Sequence, residues 1–480
     1  VYQVWNHTRT SIGEEYLYAA LRHPIASDAE MEERERVITY LLENTQERMY
    51  LQEALAEIGK LERMSVYDHL ELIQDMKPIG ALPHILAGVC LVGALIGCAF
   101  APEFMVIASI VIMGGNIISY YQAKAKVDSY IRLFTFILHM VEQCEGVARK
   151  TIPGLEKYQD QLKKQTSCFG KYRRFCFLVN GGSGMSGDIM DSLMDYIRIL
   201  FHVDLVKMST MIREAKKYEQ QLRIMYDTIG YLDTMLSTAS CRIMYGEYCV
   251  PQLSNQANGK FAVTEMYHPL IPEGVRNSIT AERSVLLTGS NASGKSTFIK
   301  TVALNAILAQ TLHTVLAENY QASWFCIASS MALRDDILSQ ESYYIVEIRS
   351  LKRILDLTRS SELPVLCFID EVLRGTNTVE RIAASSRILQ AIAEQGGLCF
   401  AATHDIELTY LLEKEYDNYH FEEQVEDDKV TFDYCLREGR ACTRNAIRLL
   451  KMLGYDEKIV DDANERVALF LKSGNWVSYH

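Results

Sequence analysis

The sequence predicts an α plus α/β chain: a helical half interrupted by an apolar helical hairpin, followed by an α/β domain with a parallel sheet. Three observations predict it. Apolar residues recur at three- and four-residue steps through residues 11–76 and 127–241, two unbroken apolar runs separate those stretches, and from about Pro251 short β-type runs alternate with helical ones. At 480 residues the chain also exceeds what one compact core usually holds. The expected divisions are 1–76, 77–122, 123–250 and 251–480.

In the first stretch Leu17 and Leu21, then Val37, Leu41 and Leu42, then Leu51, Leu55 and Ile58 fall at helical spacing among Glu and Arg. Composition then changes abruptly. Ile79 to Ala101 is 23 residues whose only candidate charge is His84, and Phe104 to Tyr121 adds 18 more, with Pro102-Glu103 between them. Each run is close to the ~20 residues that cross a ~30 Å hydrocarbon core. Lys77 precedes the first run, Lys124 and Lys126 follow the second, and Glu103 sits in the link, so both positive flanks lie on one side. This predicts a hairpin in the cytoplasmic membrane, lipid on both runs, and both chain ends cytoplasmic. Gly88, Gly93, Gly97, Gly114 and Gly115 would let the two helices approach closely. A buried hairpin inside a large soluble helical domain is the other arrangement such a pair supports.

Helical periodicity returns from residue 127, interrupted at Asn180 to Gly187, which lacks the Lys-Ser/Thr ending of a phosphate loop and reads as a flexible connection. Lys163, Lys164, Lys171, Arg173 and Arg174, interleaved with Phe169, Tyr172 and Phe175, read as a solvated or membrane-facing basic loop that could also touch nucleic acid. Lys plus Arg total 49 and Asp plus Glu 61, so the formal charge is 49 − 61 = −12, which argues against coating nucleic acid through bulk charge. The 12 cysteines contain no Cys-x-x-Cys pair, so neither a zinc ribbon nor a thioredoxin-type motif is expected, and they read as small buried hydrophobes in a reducing compartment. The start at Val1 carries no secretory signal pattern, and the missing Met suggests a trimmed or partial chain.

In the last stretch the expected strands are Ser284 to Thr288, Val365 to Ile369 and Leu398 to Thr403, and each ends at chemically loaded residues. After the first come Gly289, Ser290, Asn291, Ala292, Ser293, Gly294, Lys295 and Ser296, the full Walker A pattern, leading into a helical run from Thr297 to Gln310. Glycines let such a loop wrap phosphates, the helix N-terminus offers free N–H groups, Lys295 reaches β and γ oxygens, and the Ser296 hydroxyl suits Mg²⁺. The second strand delivers Asp370, placed to hold Mg²⁺ through water, and Glu371, placed to polarise an attacking water. His404 follows the third as a sensor of the γ-phosphate, an order of motifs that resembles ABC-type ATPases.

From Tyr267 onward the chain resembles the ATPase domain of the MutS family. The matching residues are His268-Pro269-Leu270 with Asn277, Gly289-Ser290-Asn291, the segment Asp335 to Glu347 containing Ser342, Asp370 to Asn377 with Arg374-Gly375-Thr376, and Thr403-His404-Asp405. Upstream, Thr8 to Gly13, Leu21 to Pro24, Ile229 to Asp233 and Tyr248 to Pro251 are similar to the start and return of the family's core helical domain, and Glu438 to Glu465 resembles its C-terminal dimerisation helices. The resemblance implies ATP and Mg²⁺ as cofactors, a homodimer whose Ser342 crosses to the other subunit's ATP, and lever helices moved by hydrolysis. It adds Asn277, Ser342, Glu347 and Thr297 to the nucleotide-binding set, with Glu371, His404 and Lys295 as catalytic residues. Gln340 stands where the family has glycine, which weakens one phosphate-facing N–H nest without removing Ser342; the mismatch-reading domain and connector have no counterpart and the apolar hairpin sits where the family carries its DNA clamp, so a DNA mismatch-repair role is an alternative to a membrane-anchored ATPase. A third reading is a scaffold that uses ATP only as a dimer switch, against which Glu371 argues.

Overall fold

The structure, a computed structural model, describes residues 1–61, 65–76, 80–149, 151–170, 189–255, 259–271, 273–290, 293–331, 343–373, 377–426, 429–441, 447, 450 and 454–473. Two compact units divide the chain: one holds Tyr2–Arg22 and Glu33–Ile243, the other Val1, His23–Glu32 and Met244–His480. The hairpin thus belongs to the helical unit, and residues 23–32 belong with the α/β unit.

The helical unit contains α1 (Tyr2–Trp5), α2 (Ser11–Arg22), α3 (Asp28–Glu43, shared with the second unit), α4 (Thr45–Ile58), α5 (Val66–Leu72), α6 (Ala81–Gly97), α7 (Pro102–Arg149), α8 (Glu156–Thr166), α9 (Ile189–Phe201), α10 (Val203–Lys217) and α11 (Glu219–Tyr245). One core draws Leu51 and Leu55 from α4, Phe134, Ile137 and Val141 from α7, and Met225, Ile229 and Leu236 from α11. The segments around Thr10 and Asp233, over 220 residues apart, meet in it. Asp233 accepts hydrogen bonds from the backbone N–H of Arg9 and Thr10 and from the Thr10 hydroxyl at 2.8–3.0 Å, while Thr10 Oγ1 accepts from the Gly13 N–H. A Cβ on Gly13 would lie 2.1 Å from Asp233 Oδ2, and one on Gly230 would lie 2.7 Å from Tyr16. Only glycine admits so close an approach of α2 to α11.

Burial pushes the Asp233 carboxyl up to about 6, against the donated hydrogen bonds. A carboxyl raised in the folded state contributes stability at low pH that is lost as pH rises through about 6. The denaturation midpoint of the chain is therefore expected to rise on going from pH 7 to pH 5, by about 1 kcal/mol from this group. The Asp233→Asn variant, unfolded in urea over the same pH range, should lack that increment; an identical pH slope in both proteins refutes it.

The apolar hairpin is real as a helical pair, but its limits differ from expectation. The first helix covers Ala81–Gly97, 17 residues, and the second does not stop near Tyr121 but continues to Arg149, placing the expected boundary at 122 inside α7. Pro102–Ala125 is long and apolar enough to cross a bilayer, whereas Ala81–Gly97 is shorter. Leu86, Val89, Ile96, Ile107, Ile110 and Val111 are exposed. Of the five glycines one acts as expected, Gly97, where a Cβ would lie 3.1 Å from Met105 of α7; nothing lies near a Cβ placed on Gly93, Gly114 or Gly115, and Gly88 faces Phe201 of α9. Polar groups fasten the hairpin to the α9–α10 junction instead. Asn116 Nδ2 donates to Leu200 O and Ala87 O, Tyr120 donates to Asp204, His202 Nε2 donates to Asn116 O, and His202 Nδ1 lies 2.9 Å from His84 Nδ1.

The α/β unit is built on a six-stranded sheet ordered β12-β9-β4-β8-β7-β6, parallel except for β12 (Arg437–Glu438), with β4 Ser284–Thr288, β6 Cys326–Ser330, β7 Val365–Asp370, β8 Leu398–Ala402 and β9 Tyr416–His420. Strand alternation divides its core. Val285, Leu287, Phe368 and Phe400 face α12 (Lys295–Leu312), while Leu286, Cys367, Ile369 and Cys399 face α13 (Tyr343–Ser360) and α14 (Thr378–Glu394). Burial on both faces explains why these strands are unbroken apolar runs. A second sheet, β1-β5-β2-β3 (Gln252–Ser254, Asn319–Ser323, Phe261–Met266, Asn277–Ala281), flanks it, and β10 and β11 form a hairpin (Glu423–Glu426, Lys429–Phe432). Short α15 (Leu408–Leu411) and the later α16 (Glu457–Ser473) complete the described helices.

Candidate active site

The parallel strands β4, β7 and β8 bring their C-terminal ends to one edge of the sheet, and the chemically loaded residues follow there. After β4 the backbone turns at Gly289 (φ +143°) and Gly294 (φ +110°), conformations that admit only glycine without strain. A Cβ on Gly289 would lie 2.7 Å from Phe421 O, and one on Gly294 would lie 3.2 Å from the Tyr434 ring. Helix α12 begins at Lys295, whose buried Nζ donates to Gly289 O and Ser290 O at 2.7 Å each. Ser296 Oγ donates to Asp370 Oδ1 at 3.0 Å, joining the end of β7 to the loop after β4.

Glu371 follows Asp370 in the left-handed region (φ +61°), and its N–H donates to Ala402 O at the end of β8. Its carboxylate Oε1 lies 3.2 Å from His404 Nε2. The loop carrying His404 is fixed in turn: Arg381 of α14 grips Asp405 through two hydrogen bonds of 2.9 and 2.6 Å, and that carboxylate raises the Arg381 pKa above its ordinary value.

These residues open onto one cavity of about 670 Å³. Ser290, Ser293, Lys295, Ser296, Thr297, Glu371 and His404 line its polar end, and Met266, His268, Ile271, Phe298, Phe421 and Tyr434 supply apolar and aromatic walls. Burial, reinforced by Lys300, pushes the His268 pKa below its ordinary value, so its ring is neutral at pH 7. The arrangement can receive an anion at the helix N-terminus and Lys295, a hard divalent cation beside the Ser296 and Asp370 oxygens, and a proton at Glu371.

Two residues expected to bind nucleotide have other partners. Asn277 borders the cavity, but its Nδ2 donates to Tyr434 O at 3.0 Å and its Oδ1 accepts from Leu436 N–H at 2.7 Å, so it holds the segment that carries Tyr434. Glu347 is 1 % exposed, does not line the cavity, and accepts from Leu373 N–H at 2.6 Å. Asn291, Ala292, Gln340, Ser342, Arg374, Gly375 and Thr376 lie outside the described residues, as do Lys171, Arg173, Arg174 and the 180–187 stretch. Among the described residues no group of three or more His, Cys, Asp or Glu is arranged to hold a metal alone. Phe421 and Tyr434 were not visible in the sequence, because nothing in their spacing marks them: they reach the cavity from beyond β9 and β11, more than 120 residues after the loop they face.

The family model for MutS domain V matches residues 285–470. Over 97 % of this chain, the DNA mismatch repair protein MutS of Streptococcus sanguinis is 24 % identical, and the chain spans 59 % of that relative's length. The proteins of the same name from Natronomonas pharaonis and Pseudothermotoga lettingae are 31 % and 32 % identical over 49 % of this chain, which covers 28 % and 30 % of them. The domain match lies on the sheet that carries the cavity and the longer matches extend through the helical unit, so the chain is similar to MutS proteins over most of its length and carries a MutS domain V match over residues 285–470.

Proposed function

We propose that this chain binds ATP with Mg²⁺ and hydrolyses it to ADP and phosphate, acting as a homodimer held at the cytoplasmic face of a membrane by α6 and the apolar part of α7. One observation carries the reading: Lys295, Ser296, Glu371 and His404 line a single cavity, with Asp370 bonded to Ser296. Lys295 now holds the carbonyls of Gly289 and Ser290. On ATP binding its Nζ exchanges them for β and γ oxygens, and N–H groups at the start of α12 take the remaining phosphate charge. The hydroxyl–carboxylate pair of Ser296 and Asp370 is a hard oxygen donor set that would hold Mg²⁺. Bound there, Mg²⁺ supplies charge neutralisation on the phosphates. Glu371 takes the proton of the attacking water, and His404 donates a hydrogen bond to the departing phosphate. Ser342 of the partner subunit closes the site, and α7 and α11 serve as the levers that move with nucleotide state.

Lys295→Ala is expected to weaken ATP binding at least ~100-fold, measured with a fluorescent ATP analogue in the presence of Mg²⁺. Unaltered affinity sinks the reading.

A second reading has one observation behind it: relatives aligned over 97 % of the chain carry the name DNA mismatch repair protein. Lys163 and Lys164 of α8 would then join residues 171–174 in contacting duplex phosphates. Homoduplex and mismatched DNA offered at about 50 mM salt separate the two, because non-specific phosphate binding is strongest there and its absence excludes DNA.

A further inference from the structure

We infer that Glu347 is a positioning residue for the proposed hydrolysis: its buried carboxylate fixes the backbone turn that presents Glu371. The inference rests on the ATP-hydrolysing reading and assigns Glu347 a task other than touching nucleotide.

The turn after β7 is unusual. Glu371 and Leu373 have φ of +61° and +59°, and neither is Gly, Asn or Asp, the residues that adopt left-handed backbone readily. Two such residues within three positions persist only when the surroundings over-determine them. Two anchors do so here. The Glu371 N–H is tied to Ala402 O of β8 at 3.1 Å, and the Leu373 N–H is tied to Glu347 Oε1 at 2.6 Å. Val372 and Leu373 are themselves buried against Leu351 and Ile354 of α13, the helix that carries Glu347. A carboxylate this buried is rare unless it has hydrogen-bonding work to do. Without its acceptor, the Leu373 N–H is released, the turn relaxes toward right-handed φ, and the Glu371 carboxylate swings from its place beside His404.

The test compares Glu347→Gln, whose amide oxygen can still accept from Leu373, with Glu347→Met, which keeps the volume and removes the acceptor. Glu347→Met is expected to lower kcat roughly 10- to 100-fold, with KM for ATP within about threefold of the parent. Glu347→Gln should stay within about threefold on both, and Glu347→Met should cost nothing further in a Glu371→Gln background. Hydrogen exchange of the nucleotide-free chain should show the Leu373 amide protected in the parent and in Glu347→Gln and unprotected in Glu347→Met. The inference is overturned if the two variants lose turnover equally, if KM rises in step with the loss, or if Leu373 is equally protected in all three proteins. Failure of the ATP reading shows separately, as a parent that binds no ATP, and the exchange comparison then still decides whether Glu347 holds the turn.

Discussion

Glu371→Gln should abolish turnover by at least ~10²-fold while leaving ATP affinity unchanged, because a general base contributes about 10²- to 10⁴-fold and an amide cannot take a proton. The substitution keeps volume and the contact to His404, since the amide oxygen can still accept from Nε2 across the 3.2 Å that separates them now. It also leaves the phosphate grip untouched, as that depends on Lys295, Ser296 and the loop glycines. The measurement is steady-state phosphate release beside equilibrium binding of the fluorescent ATP analogue. Turnover within about threefold of the parent removes Glu371 from the chemistry, and the scaffold reading then gains, because a dimer switch needs the grip and not the base. The opposite pattern is expected of Lys295→Ala, which loses binding first. The pair of variants therefore separates grip from chemistry, two tasks that the geometry assigns to residues following different strands, β4 and β7.

Much of this site was legible in the sequence for a definite reason. The Walker A spacing puts Lys295 and Ser296 at the start of α12, and Asp370, Glu371 and His404 lie at or just beyond the ends of short apolar runs bounded by turn residues, which the structure buries as central strands. What was illegible depends on tertiary contact. The bond from Glu347 to a backbone N–H leaves no trace in residue spacing, since any residue can offer an N–H. Asn277 lines the cavity as expected, and its further task of securing the Tyr434 segment, 157 residues away, has no sign in the spacing. The β1-β5-β2-β3 sheet was missed because Gln252–Ser254 and Asn319–Ser323 are short and polar and carry no period-two alternation long enough to detect. The end of the second apolar helix was misplaced because composition changes near Lys124 while helix-breaking residues do not: no Gly or Pro occurs between Gly115 and Gly146, so the helix continues through the change in polarity.

That continuity sharpens the second large effect expected. The apolar stretch Pro102–Ala125 and the core residues Phe134, Ile137 and Val141 lie on the same helix, so whatever holds the exposed end also holds one wall of the helical core. Ile107, Ile110, Val111 and Ile118 are each more than 60 % exposed. Burying a side chain of this size in hydrocarbon is favourable by about 1.5 kcal/mol or more, so four changed together to Ser remove about 6 kcal/mol, over a thousandfold in partitioning. The quadruple variant is expected to remain in the aqueous fraction when floated with phosphatidylcholine–phosphatidylglycerol vesicles, while the parent chain rises with the lipid. ATP-analogue affinity should match the parent within about twofold, because none of the four lies in the α/β unit. If the variant floats like the parent, or the parent stays behind without lipid, the exposed face is not a lipid-binding surface. The buried polar seam at His84, Asn116 and His202 gives the hairpin a second attachment that the substitutions spare, so a loss of flotation with an intact urea midpoint would assign the exposed face to the bilayer and the seam to the protein.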